Sequence, residues 1–311
     1  MQSGFPVVPE PFSDIAKSIG CSESEVIHRI FRLKKRGVIR YIGTIFNSSM
    51  MGYHSTLAAF RVENNQIEQI ANRLNVLPGI THNYLRENSY NIWFTLTAPK
   101  SVDLKEKITE LASDSGVSDW LSLPAVRTFH IGLNLHMGYS LKTENSTINY
   151  DKISGGTVVS INKNFVRAIQ GDVPLTEHPF NPAAVALGWS QEALITEINK
   201  YIKAGIIRRF AAVLNPVKAG YVKNVLVAWS VSSEHIEKAG FFAASLSEVS
   251  HCYQRLDCTN WPFHIYTMIH GCSIGQCRNA IRKIAENQPI MDYCELPTLR
   301  ELKKSRTQYF L

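Results

Sequence analysis

The chain reads as an α+β protein made of two copies of one unit, each a winged helix-turn-helix followed by a βαββαβ domain of the ferredoxin-like kind. Three observations lead there. Self-comparison at one offset superimposes Pro11-Phe12-Ser13-Asp14-Ile15-Ala16 on Pro179-Phe180-Asn181-Pro182-Ala183-Ala184, Gly37-Val38-Ile39-Arg40 on Gly205-Ile206-Ile207-Arg208, and Gly52-Tyr53 on Gly220-Tyr221. Each copy then opens with helical periodicity broken by a short glycine-containing turn and changes to strand periodicity. Finally, each copy carries His-x-Tyr-x-Arg ahead of an apolar strand: His82, Tyr84 and Arg86 before Tyr90–Thr97, and His251, Tyr253 and Arg255 before Phe263–Ile269.

In the first copy Pro11–Ser18 is a short helix, Ile19-Gly20-Cys21-Ser22 the turn, and Ser24–Lys35 a second helix. Ser22 and Glu25 have capping-box spacing. Val26, Ile27, Ile30 and Leu33 recur at helical spacing, and Gly37 ends the helix. The second copy repeats the pattern with Leu187-Gly188-Trp189-Ser190 as the turn, Gln191–Ala204 as the helix and Gly205 as its stop. It also has an opening helix, Asn164–Gln170, for which the first copy shows no counterpart in this sequence. Ile39–Phe46 and Ile207–Leu214 read as the strands of the wings.

Beyond its wing, each copy alternates strand, helix, strand, strand, helix, strand. In the first copy these are Ser55–Val62, Gln66–Leu74, Ile80–Arg86, Tyr90–Thr97, Val102–Ser113 and Ala125–Asn134; in the second, Lys223–Val231, Ser233–Leu246, Val249–Gln254, Phe263–Ile269, Ile274–Asn287 and Thr298–Tyr309. The offset grows between His251 and Tyr266, so the extra residues of the second copy fall in the loop Leu256–Pro262. The resulting domains are a helix-turn-helix at 1–48, ferredoxin-like 49–137, a polar linker 138–163 containing Gly155-Gly156, helix-turn-helix 164–216, and ferredoxin-like 217–311.

Composition narrows the function. At 311 residues, with 45% hydrophobic and 19% charged residues, each copy can bury a core of its own. No apolar run reaches membrane-spanning length and the start lacks a basic, apolar leader, so a cytoplasmic protein with reduced cysteines is expected. No cysteine pair has C-x-x-C spacing, and no metal site of its own is expected. Lys plus Arg number 33 against 26 Asp plus Glu, a net charge of +7 that suits a polyanion, either a nucleic acid or a polycarboxylate small molecule.

The motifs choose between these. Winged helix followed by ferredoxin-like domain resembles the Lrp/AsnC family of regulators. His251-Cys252-Tyr253-Gln254-Arg255, Trp261 to Gly271 (WPFHIYTMIHG) and Leu296 to Lys304 (LPTLRELKK) resemble the sirohaem decarboxylases, as do Leu85 to Phe94 (LRENSYNIWF) and Leu123 to Phe129 (LPAVRTF) for the partner subunit. The likeness covers essentially the whole chain and implies two related subunits fused into an intramolecular pseudo-dimer, with further dimerisation left open. It implies removal of carbon dioxide from the C12 and C18 acetates of sirohaem. The product, 12,18-didecarboxysirohaem, would serve an alternative haem pathway or the haem of a nitrite reductase.

The residue chemistry fits that reaction. A flat macrocycle with eight carboxylates needs cations at its rim and apolar surface against its face. Arg86, Arg127, Arg255 and Arg300, with Lys303, are candidates for the rim, because a guanidinium fork holds a carboxylate bidentately. Trp93, Tyr266, Phe263 and Met268 are candidates for the face, and Tyr84, Tyr253 and His264 for the lining. Loss of carbon dioxide from a pyrrole acetate needs protons and no added cofactor; the iron arrives with the substrate. His251, then His82, are the candidate acids, since imidazole loads and unloads near neutral pH. Ligation of the substrate iron is the competing role for either. Arg255 and Arg86 complete the catalytic set, while His130 and His270 read as structural and Lys304 and Arg306 as part of a solvated basic end. The rival reading is an Lrp/AsnC-type DNA-binding transcription regulator, open to sensing haem or another tetrapyrrole, with His28, Arg29, Arg32, Lys34 and Lys35 facing phosphates. Against it, Gln191–Lys203 carries Glu192 and Glu197 at the equivalent helix, so nucleic acid is not the expected partner. A non-catalytic tetrapyrrole carrier is a third reading, one that would not need the histidines as acids.

Overall fold

A computed structural model describes residues 1–132, 160–258 and 260–311. The linker assignment over 138–159, the glycine pair within it and the end of the strand reaching Asn134 lie outside these residues. The chain is α+β and divides into two compact units. One gathers the helical regions of both repeats and the C-terminal residues from 308. The other gathers both strand-rich regions.

The helical unit contains α1 (Pro11–Ile19), α2 (Glu23–Lys35), α5 (Lys163–Ile169), α6 (Asn181–Leu187) and α7 (Gln191–Lys203), with β1 (Ile39–Phe46) and β6 (Ile207–Leu214). Ser22 and Ser190 cap α2 and α7 by accepting from the amides of Glu25 and Ala193. Gly37 and Gly205 follow these helices with φ of 71° and 72°, a region open to glycine without the steric cost a Cβ brings. Both wing strands have the expected bounds, but they pair with each other, antiparallel, in one two-stranded sheet. Each repeat thus supplies the backbone partner that the other's lone strand lacks. On α2, Arg29 pairs with Glu25 at 2.6 Å and Lys34 with Asp172 at 2.8 Å, so two of the cations that a phosphate backbone would need already have acids beside them.

The strand-rich unit holds β2 (Tyr53–Phe60), α3 (Ile67–Asn75), β3 (Ile80–Arg86), β4 (Ile92–Pro99), α4 (Leu104–Asp114) and β5 (Trp120–Ile131). The second repeat gives β7 (Lys223–Val231), α8 (Ile236–Ser245), β8 (Val249–Arg255), β9 (Ile265–Gly271), α9 (Ile274–Asn287) and β10 (Ile290–Lys304). Eight strands close into a barrel in the order β10-β3-β4-β2-β5-β8-β9-β7, which places each repeat's strands in the same sequence. The seams join β5 to β8 and β10 to β3, so both barrel joints are made between repeats.

The last strands start earlier than the sequence pattern suggests, at Trp120 and Ile290 rather than Ala125 and Thr298. Pro124 and Pro297 look like strand breakers because they lack an amide donor. Here they mark the points where a strand changes partner. β5 pairs with β2 as far as Pro124 and with β8 from Ala125; β10 pairs with β7 as far as Pro297 and with β3 from Thr298. The strand predicted from Phe263 likewise begins only at Ile265.

Helices cover the outside of the barrel. α3 and α4 pack on Ala58, Phe60, Ile80, Ile92 and Phe94, while α8 and α9 pack on Val227, Trp229, Cys252, Ile265 and Ile269. Strand alternation sends the intervening residues into the lumen. One part of that lumen is filled by Ala59, Trp93, Leu121, Leu123, Leu226, Ala228, Trp261, Phe263, Tyr266 and Leu296. Outside, Gly240 of α8 lies directly against the Phe129 ring, which an added Cβ would meet at 2.4 Å. Gly240→Ala is therefore expected to destabilise the fold by about 1–3 kcal/mol through overpacking. Chemical denaturation of the two proteins checks it; equal midpoints would show that the ring moves aside freely.

Candidate active site

The two triplets lie on strands that meet the other repeat, β3 at the β10 seam and β8 at the β5 seam. His82, Tyr84 and Arg86 alternate with Asn83 and Leu85, and Leu85 packs against the α3/α4 core. His251, Tyr253 and Arg255 alternate likewise with Cys252, which lies in the α8/α9 core. Both triplets therefore face the lumen, on opposite walls, because β3 and β8 stand half a turn apart in the ring of eight.

Local geometry repeats closely. Nδ1 of His251 is 2.8 Å from Ser250 Oγ, and Nδ1 of His82 is 2.9 Å from Thr81 Oγ1. The His251 and Tyr253 rings stack with centroids 6.2 Å apart; those of His82 and Tyr84 are 6.4 Å apart. The Arg255 guanidinium lies 4.9 Å from the Tyr253 ring centre and 5.7 Å from that of Tyr266, and Arg86 lies 5.1 Å from Tyr84. Arg255 Nη1 donates to Leu123 O at 2.7 Å, and Arg86 Nη1 donates to the equivalent carbonyl, Leu296 O, at 2.8 Å.

These guanidiniums are incompletely satisfied. Nε of Arg86 and Nε of Arg255 are both buried without a hydrogen-bond partner. Among the described residues no carboxylate forms an ion pair with either. Burial lowers the pKa of Arg86 to about 10 and lowers that of Arg255 as well. A buried cation with an orphaned donor is costly unless an anion arrives.

The imidazoles are under the same pressure. Burial pushes His251 down to about 3, and Lys304 and the imidazoles of His270, His82 and His130, when protonated, oppose its charging further. His270 falls to about 4 through burial and the charges of Lys304 and Arg86. The protein alone thus holds these histidines neutral. Since their folded values lie below the ordinary 6.5, the fold resists their protonation. Stability is full above about pH 6.5 and is lost as pH falls towards 4 and 3. Denaturant midpoints measured at pH 7.5 and pH 4.5 should show this loss, and replacing His270 by Gln should reduce it; an unchanged pH dependence in that variant would contradict the assignment.

The remaining candidates divide. Trp93 and Tyr266 do reach the lumen, but as its packed floor: Trp93 Nε1 donates to Tyr90 O at 2.6 Å, and Tyr266 Oη accepts from Trp261 Nε1 at 2.7 Å. Phe263 lies in the same floor and Met268 packs against it. The structure turns Arg127, Arg300 and Lys303 towards the outer helices, against the expectation that they line the substrate site. Arg127 is beside Glu237 of α8 at 3.4 Å and over the Phe129 and Phe241 rings. Arg300 pairs with Glu68 of α3, and Lys303 Nζ caps the end of α3 by donating to Asn75 O and Leu77 O. The cause lies in register shifts between Ala125 and Arg127, between Thr298 and Arg300, and between Glu301 and Lys303, since an inserted residue turns the following side chains to the other face. His264 precedes β9, where its Nδ1 accepts from the Val231 amide at 3.4 Å and its Nε2 lies 3.8 Å from Asp257. Lys304, read as solvated, instead pairs in register with His82 and acts electrostatically on His251. His270, read from the sequence as structural, is buried with its Nδ1 unpartnered. It alternates along β9 with Tyr266 and Met268.

Comparison with known proteins places this geometry. A model of the AsnC-like ligand binding domain matches residues 50–130 and 218–303, the two strand-rich halves. A model of the siroheme decarboxylase NirDL-like HTH domain matches residues 1–40 and 162–208. A "Siroheme decarboxylase" of Hydrogenobacter thermophilus is 34% identical over all of this chain and 92% of its own length. The crystal structure of "the siroheme decarboxylase NirDL" superimposes with a TM-score of 0.74 at 32% identity, covering all of this chain and 92% of the other. A second crystal structure of NirDL, described as a co-complex with an iron-uroporphyrin III analogue, gives 0.73 at 30% identity with the same coverage. The fold, the duplicated halves and the full-length likeness together show that the chain belongs to the sirohaem decarboxylase family.

Proposed function

We propose that this chain decarboxylates sirohaem, removing carbon dioxide from the C12 and C18 acetates to give 12,18-didecarboxysirohaem. The observation that carries the site assignment is the pair of guanidiniums on facing walls of one lumen, each with a buried, unpartnered Nε and no carboxylate beside it among the described residues. A polycarboxylate supplies the counter-charges they lack. Arg86 and Arg255 hold substrate carboxylates, Tyr84 and Tyr253 orient the guanidiniums beneath their rings, and His251, with His82 opposite, delivers protons. Each half is a winged helix-turn-helix plus a ferredoxin-like domain, and the fused halves act as a pseudo-dimer in which both contribute to the site. The iron belongs to the substrate, and no further cofactor enters the proposal.

The reaction needs only binding and protons. A proton placed on the ring carbon next to the one that bears the acetate makes the ring an electron sink. The bond to the carboxylate then breaks, its electron pair flows into the ring system, and carbon dioxide leaves. A proton on the exocyclic carbon completes the methyl group as the ring proton departs. A histidine kept neutral by burial becomes basic enough to be charged once carboxylates stand beside it, because an opposite charge raises an imidazole pKa. Anaerobic incubation with sirohaem and mass spectrometry of the tetrapyrrole tests the reading. Loss of two carbon dioxide units is expected, and tightly bound, unchanged sirohaem would overturn it.

A further inference from the structure

The two walls of the lumen are alike in their triplets and unlike in what stands behind them. On one side, in-register pairs place Asn224 opposite His270 and Thr298 opposite Arg86. Arg86 Nη1 donates to Thr298 Oγ1 at 2.9 Å, and Thr298 Oγ1 donates in turn to Asn224 Oδ1 at 2.7 Å. A continuous polar chain therefore runs from the guanidinium of the first repeat to the residue paired with His270. His270 is only 8% exposed, and its Nδ1 is buried without a partner. The corresponding pairs on the other side are Ser55 with Thr97 and Ala125 with Arg255. Ala125 cannot accept from a guanidinium, and a threonine at position 97 offers no group that titrates near neutrality. Chain and extra imidazole occur once.

The stoichiometry gives that difference a use. In each step a carboxylate-bearing CH2 takes up one proton and releases one carbon dioxide to become CH3; nothing is oxidised or reduced. Two steps consume two protons, so the donating imidazole has to be recharged between them. His251 pairs with Met268 beside a register shift between Val249 and His251, and His270 lies two residues further along β9 on the same face as Met268.

We propose that His270, held beside the Arg86–Thr298–Asn224 chain that crosses the β3–β10 seam, is the positioning and proton-relaying partner that recharges His251, and that the wall carrying His251 rather than the one carrying His82 sustains repeated turnover. The inference rests on the decarboxylase reading. It concerns a residue that acts through His251, so its test separates rate from binding.

Anaerobic turnover of sirohaem would be compared for the full-length protein, His270→Gln, and the double variant Asn224→Ser with Thr298→Ala, which installs the residues found on the other wall. His270→Gln is expected to lower kcat by about 100-fold, within the range of a lost proton-transfer group. Its sirohaem dissociation constant, from absorbance titration, should stay within about threefold of the parent. The double variant keeps His270 and should lose about tenfold in kcat, again with binding retained. Parent-like kcat in both variants overturns the proposal. So does a loss of affinity matching the loss of rate, which would make His270 part of the binding surface only. If the unaltered protein binds sirohaem and releases no carbon dioxide, the decarboxylase reading itself fails. Turnover by the parent and both variants at one rate sinks the relay alone.

Discussion

Replacing His251 by Ala is expected to reduce sirohaem turnover by about 100- to 10,000-fold while leaving the tetrapyrrole bound. The expectation follows from how this imidazole is held. Ser250 Oγ engages Nδ1 at 2.8 Å, Tyr253 stacks on the ring, and Nε2 is left as the nitrogen for exchange with a ligand. At rest the ring is neutral, its pKa pushed to about 3 by burial and by surrounding bases. Binding of a polycarboxylate reverses the sign of the local field, so the complex should take up protons that the free protein does not hold. Calorimetric titrations in buffers of different ionisation enthalpy measure that uptake in the parent and in the variant. Equal uptake in both, or an alanine variant with parental turnover, would remove His251 from the proton path.

Replacing Arg86 by Met is expected to weaken sirohaem binding by about 10- to 100-fold, the loss of one hydrogen bond to a charged group. Its effect on the protein alone should be much smaller. The guanidinium is buried with an unpartnered Nε and a pKa lowered to about 10, so the fold holds this charge against its own interest. An unbranched apolar chain of similar length forfeits two hydrogen bonds but removes the desolvation penalty, so stability should change by less than about 1 kcal/mol in either direction or rise. Denaturation without sirohaem and absorbance titration with it together decide the matter. A variant that unfolds readily would show that Arg86 is a structural cation rather than one kept for a ligand.

The parts of this architecture that alternation and self-similarity encode are open to reading from the chain. His82, Tyr84 and Arg86 share a face because nothing interrupts β3 between them, and the same holds for β8. The duplicated order of strands and helices follows from periodicity that each repeat shows independently. Features that escape such reading depend on partners far away in sequence. Arg127, Arg300 and Lys303 have the composition of a carboxylate-binding rim, but shifts of register against a strand of the other repeat turn them outward. Pro124 and Pro297 look like strand starts until both partners of the strand are known. His270 looks structural while it is considered alone, and it becomes distinctive only when set against Thr97 in the equivalent pairing. Site candidates within one uninterrupted strand come together; those separated from it by a bulge do not.

Barrel closure also sets an order of assembly. Arg86 and Thr298, which bond across the β3–β10 seam, are 212 residues apart in the chain, and Arg255 and Leu123, at the other seam, are 132 apart. Contacts of such sequence separation carry a large loop-closure cost and form late in folding. Each repeat can first collect its own strands beneath its two helices, where the pairings are local. The seams join afterwards, and the guanidiniums acquire their carbonyl partners only then. The lumen is thus the last region of this unit to exist, and if it is the substrate site, a polycarboxylate added during refolding should speed or secure the final step rather than the early ones.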